Sequence, residues 1–222
     1  MSNPVFLAAV LVQYFCLLFS LCVHEAAHAA MADRCGDPSA RLMGRATLNP
    51  LAHIDILGTV IMPLIMMFSQ IPFLFGWAKP VPYNPRNLRN LRRDSLLIAI
   101  AGPGSNLLIA ALFVLLARIS SLLMTTDAAS SMLSPSVLYT LVFLRLIFGG
   151  MITINLVLAF FNFIPVPPLD GHHILEYFLP PKGQQMLESI GPYGIFIAII
   201  LARPLFRALN PVLDGVMNLA GL

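Results

Sequence analysis

Residues 20–30 read SLCVHEAAHAA. They close a run in which residues 1–23 carry no charged side chain, and then His24, Glu25 and His28 arrive together. A charged group deep in an apolar span costs on the order of 2.5–3.5 kcal/mol on insertion scales, so such a cluster needs a compensating partner. On a helix, residues i and i+4 share one face. His24 and His28 can therefore hold one metal ion, with imidazole nitrogens at about 2.0–2.1 Å if the ion is zinc. Glu25 points roughly 100° away around the axis. From there it can reach a metal-held water as a general base without being a ligand itself.

The surroundings decide the fold. Of 222 residues, 58% are hydrophobic and 10% charged, against about 25% charged in an ordinary soluble domain. The expectation is an all-α polytopic membrane protein. It would be a bundle of about four to six transmembrane helices with a re-entrant or hairpin segment and short extended stretches. Residues 1–222 read as a single membrane-embedded domain, with spans near 4–32, 96–118, 137–165 and 190–217. The N-terminal run lacks a basic leader and reads as a retained span, not a removable signal. The net charge of +3 comes from basic residues scattered through loops. That is the pattern of topology determinants, and no nucleic-acid partner is expected. Cys16, Cys22 and Cys35 make an odd set without CxxC spacing, which excludes a disulfide framework and a cysteine zinc finger.

The segment 54–75 is apolar but broken by Gly58, Pro63, Ser69, Gln70 and Pro72. Basic loops flank it on both sides, with Arg34, Arg41 and Arg45 before it and Lys79, Arg86, Arg89, Arg92 and Arg93 after it. A single crossing would put one basic loop on the wrong side, which favours a re-entrant or bent hairpin over a full crossing. The polar loop 33–53 suggests short extended pieces. The loop 119–136 holds Asp127 and no Lys or Arg, and so reads as the outer side. The ends of the first and third spans then share the cytoplasmic side.

Two histidines leave a catalytic zinc short of a ligand, since three protein ligands and an open position are usual. The carboxylates at hand are Asp55, Asp94, Asp170, Glu176 and Asp214. Asp170 is best placed. It ends the third span on the same side as His28, after Pro165, Pro167 and Pro168 re-aim the chain.

HEAAH near the end of a first span, with NFIPVPPLDG ending a later one, resembles the site-2 protease family of intramembrane zinc metalloproteases. AGPGSN (101–106) looks like that family's small-residue motif. RATLNPLAHID and GWAKPVP resemble its compact subgroup without PDZ or CBS domain. The resemblance covers nearly all of residues 5–180. It implies one zinc ion on His24, His28 and Asp170, and Glu25 as the base. Asn162 is the donor it suggests to the oxyanion, and the lone His53 is a second candidate. His172 departs from the family, which commonly has a small residue there, and leaves open whether that side chain competes as a ligand. The implied reaction is hydrolysis of peptide bonds in membrane-spanning substrates or remnant peptides, within the lipid bilayer of a prokaryotic inner membrane and toward its cytoplasmic side. AKPVPYN or the loop 40–50 could offer an edge for an extended substrate. The competing readings are a membrane metal-binding transporter, which needs no base, and a non-catalytic scaffold. Oligomeric state is not legible.

Overall fold

The computed structural model describes residues 4–69, 76–125 and 134–222. Asp127, Gln70 and Pro72 lie outside the described residues. Eight α-helices carry the described chain: α1 (Pro4–Cys35), α2 (Ser39–Leu42), α3 (Met62–Phe68), α4 (Leu91–Thr125), α5 (Pro135–Asn162), α6 (Gly171–Phe178), α7 (Pro181–Ile190) and α8 (Gly194–Ala220). No strand occurs among the described residues, and the loop after α1 is built from short helical turns. Within α1, α4, α5 and α8 lie the four described stretches long and apolar enough to cross a membrane.

Helix boundaries follow caps more closely than hydropathy. α1 continues past the apolar run to Cys35 and stops where Gly36 takes φ 112°. There Asp37 N–H bonds Ala32 O at 2.9 Å and Gly36 N–H bonds Asp33 O at 3.1 Å, the paired closure of a glycine-ended helix. α4 starts at Leu91, ahead of its apolar stretch. Asn90 and Asp94 cap it reciprocally: Arg93 N–H donates to Asn90 Oδ1 at 3.0 Å, and Asn90 N–H donates to Asp94 Oδ2 at 2.8 Å.

α1, α4 and α5 form the centre, and α8 closes against α4 and α5. Small residues recur among the buried positions: Ala29, Ala32, Ala99, Ala110, Ala117 and Ala159, with Cys16. Large residues such as Leu11, Phe15, Leu108, Leu112 and Phe143 face outward. This is the arrangement lipid allows, because apolar surface gains little by hiding from acyl chains while small residues let backbones approach.

The described parts of the segment after His53 bring its two ends together. A π-helix over Ile56–Ile61 runs into α3, ending at Phe68. These elements span residues 56–68, and about 20 residues are needed to cross the hydrocarbon. The returning chain rejoins its own start: Trp77 N–H bonds Gly58 O at 3.3 Å and Lys79 N–H bonds His53 O at 2.9 Å. Entry and exit thus lie together, as the flanking basic loops require.

From there residues 80–90 run along α1 to its end, where Arg89 N–H bonds Cys35 O at 3.2 Å. Asp37, with no exposed surface, fastens that junction. Its carboxylate accepts from Ser39 N–H, Ser39 Oγ–H, Asn84 N–H and Asn87 Nδ2–H at 2.6–3.2 Å. Burial alone would raise its pKa, but the bonds from Ser39, Asn87 and Asn84 outweigh it and hold the carboxyl below its usual range.

Asp37→Ala is expected to cost about 2–4 kcal/mol, since bonds to a buried charge are each worth roughly 1.5–3 and several donors lose their acceptor together. In thermal unfolding of the detergent-solubilised protein, that reads as a drop of roughly 5–15 °C. Because the folded pKa is depressed, the wild-type contribution should be complete above pH 3.8 and fade as the pH falls through the lower folded value. The alanine variant should lack this acid dependence.

Candidate metal centre

The α-helical period of α1 sets His24 above His28, and both imidazoles point toward α4. Each ring is fixed by its inner nitrogen. His24 Nδ1–H donates to Asn106 Oδ1 at 2.6 Å, and His28 Nδ1–H donates to the Ile98 carbonyl at 2.7 Å. Oxygens of amides and carbonyls can only accept, so both protons are assigned to Nδ1. Both Nε2 lone pairs are then free, and they face each other at 3.0 Å.

Asp170 completes a triangle. Its Oδ2 lies 3.2 Å from His24 Nε2 and 3.3 Å from His28 Nε2. Asp170 stands just before α6, a position where an Asp side chain ordinarily caps the helix. It makes no capping bond. Its Oδ2 is buried without a hydrogen-bond partner, so no N–H is aimed at it.

These are the features of a cation site. Two imidazole lone pairs and a carboxylate oxygen converge with nothing positive between them. Zinc–ligand bonds of 2.0–2.1 Å at tetrahedral angles place donor atoms about 3.3–3.4 Å apart. The observed edges of 3.0–3.3 Å fit that triangle. Two imidazoles and one carboxylate also suit zinc chemically. Gly102 of α4 makes the room: a Cβ there would sit 2.3 Å from His28 Nε2 and 2.6 Å from His24 Cε1.

The other functional residues distribute unevenly. Glu25 is adjacent, and its Oε2 accepts from Val81 N–H at 2.9 Å. Val81 lies between Pro80 and Pro82, which have no N–H, so this donor is alone in its tripeptide. AKPVPYN therefore passes beside the cluster, with this amide already committed to Glu25. Asn162 turns back on its own helix, donating Nδ2–H to Leu158 O at 2.9 Å. His53 is buried in the polar loop, where Nε2–H donates to Thr47 O at 2.9 Å and Nδ1 has no partner. His172 joins a different group, with His173 and Glu176.

Sequence reasoning missed what holds His24. Asn106 Nδ2–H donates to Asn155 Oδ1 at 2.8 Å, and Asn155 Nδ2–H donates to Ser20 Oγ at 2.8 Å. Ser20, Asn106 and Asn155 are fully buried and come from α1, α4 and α5. The available signal was a neutral amide at a helix-facing position inside each of two otherwise apolar spans.

The sequence matches the family model of peptidase family M50 over residues 12–202. It is 36% identical over 210 residues to "Putative zinc metalloprotease YwhC" of Bacillus subtilis, covering 91% of this chain and 88% of that protein. It is 29% identical over 185 residues to "Putative zinc metalloprotease Rip2" of Mycolicibacterium smegmatis, covering 83% of this chain and 63% of that one. The protein of the same name from Mycobacterium tuberculosis is 30% identical over 198 residues, with 89% and 66% covered. No solved structure matches significantly.

Two substitutions test the centre by metal content. Gly102→Ala should leave the helix intact, since Ala is the better helix former. It should still abolish stoichiometric zinc, because the imidazoles must swing away from the added methyl. Asn106→Leu should weaken zinc affinity about 10–100-fold, the usual cost of losing a partner that orients a ligand. Competitive titration with a chromophoric chelator reads both.

Proposed function

The chain belongs to peptidase family M50, and we propose that it hydrolyses peptide bonds of membrane-spanning substrates, with Glu25 as its catalytic base. It is a zinc metallopeptidase and an integral membrane protein. The finer reading rests above all on the unpartnered Oδ2 of Asp170 set against two Nε2 lone pairs, with Glu25 next to them.

His24, His28 and Asp170 would hold one zinc ion. When bound, zinc supplies Lewis acidity, polarising a carbonyl and lowering the pKa of water to roughly 7. Glu25 takes the proton from the attacking water and later returns it to the leaving amine. The Val81 amide holds one carboxylate oxygen of Glu25, which leaves the other to work. Asn162, whose amide keeps a second N–H beyond the one given to Leu158 O, is the proposed donor to the oxyanion, whereas His53 spends its N–H on Thr47 O. His24 stands 11 residues from the end of α1, about 16 Å along a helix axis. That depth favours a substrate presented inside the bilayer. Basic loops at the same end of α1 and α4 support a cytoplasmic-facing site in a prokaryotic inner membrane.

The test is reconstitution in lipid with zinc and a panel of single-span peptides. Glu25→Gln should retain zinc and lose cleavage by about 10²–10⁴-fold, the usual contribution of a positioned base. Cleavage undiminished in that variant would remove Glu25 from the chemistry. Zinc flux across the vesicle, equal in both proteins, would favour transport instead.

A further inference from the structure

A second group of metal-binding side chains stands outside the His24–His28–Asp170 centre. α6 begins directly after Asp170, with His172 and His173 in its first turn and Glu176 one turn later. Spacings of i+4 from His172 and i+3 from His173 bring Glu176 onto the face of both. One donor atom from each of the three lies within 4.8 Å of the others. His173 Nδ1 is 3.1 Å from Glu176 Oε2, and the two imidazole centroids are 3.7 Å apart. His172 Nδ1–H is committed to Leu169 O at 2.5 Å, so its Nε2 keeps a free lone pair.

The three residues are half-buried, which neither an exposed ion pair nor a packed core position requires. Together with Gln184, Glu188 and Pro167 they line a cavity of about 280 Å³ between α6 and α7. Glu188 of the neighbouring helix lines the same space.

We propose that His172, His173 and Glu176, with Glu188 across the cavity, form a second site for a divalent transition-metal ion of the zinc class. Imidazole donors select zinc, copper and nickel, whereas magnesium and calcium take oxygen shells. His173 and Glu176 are 32% and 31% exposed, whereas the side chains of His24 and His28 are 6% and 11% exposed. Water competes for the more exposed donors, so the second site binds more weakly than the first. When filled, it ties α6 to α7 and stiffens the chain that leaves Asp170.

Metal-stripped protein in detergent is titrated with Zn²⁺ alone, and both stoichiometry and affinities are read by calorimetry with chelator competition. Wild type should take two equivalents, one tight and one weaker. His173→Gln/Glu176→Gln should lose the weaker equivalent and keep the tight one. His24→Gln/His28→Gln should do the reverse, which reads this site independently of the peptidase centre. A single equivalent in wild type overturns the proposal, as do two undiminished equivalents in His173→Gln/Glu176→Gln.

Discussion

Two imidazole lone pairs and a carboxylate oxygen meet inside an apolar bundle, and the surrounding structure is arranged to hold them there. Such a cluster repels itself in the absence of a cation. The bundle resists that repulsion by fixing each ring from behind. Asn106 grips His24, the Ile98 carbonyl grips His28, and the turn after α5 carries Asp170 across to them. In lipid the fixing groups must also be satisfied by protein, because water is not available to them. That demand runs from Asn106 to Asn155 and on to Ser20, ending only when donors and acceptors from three helices are paired. The central packing of α1, α4 and α5 is thus polar at the depth of the site and small-residue apolar elsewhere. The first feature sets register, and the second allows close approach.

The hairpin and the chain that follows it solve a different problem. A carboxylate next to the cluster needs a partner, yet a full complement of donors would quench it as a base. One isolated amide between two prolines provides a single bond from a stiff backbone. The hairpin closure at Gly58 and His53 fixes where that chain starts, and Asp37 fixes where it reaches the end of α1. The chain therefore crosses Glu25 as a taut strap.

Much of this could be read in the chain. Four long apolar runs and few charges gave the helical membrane class. The broken segment between two basic loops pointed to a hairpin, because charge placement constrains topology at long range. The proximity of His24 and His28 follows from one helical period, and that of Asp170 from sidedness and the proline-bent turn. Other features were hidden for physical reasons. α4 begins at Leu91 through a cap made by Asn90 and Asp94, polar residues that hydropathy places outside the span. Asn106 and Asn155 are neutral, so nothing in composition separates an amide that orients a ligand from one that ties two helices. Asn162 was suggested by resemblance alone, and one N–H of its amide is given to Leu158 O on its own helix. The bond from Val81 to Glu25 joins residues 56 apart and depends on a hairpin closure that no local pattern encodes.

The departure at His172 gains its meaning from the same geometry. A small residue after the Asp-Gly pair would leave the first turn of α6 without chemistry. Here Leu169 O draws the Nδ1 edge of His172 back toward the turn that delivers Asp170, which keeps the ring out of the His24–His28 triangle. The ring stacks on His173 instead and turns toward α7. One turn of chain thus sends a carboxylate inward to one set of donors and two imidazoles outward to another. The separation is enforced by a backbone carbonyl, so it does not depend on which ion is present.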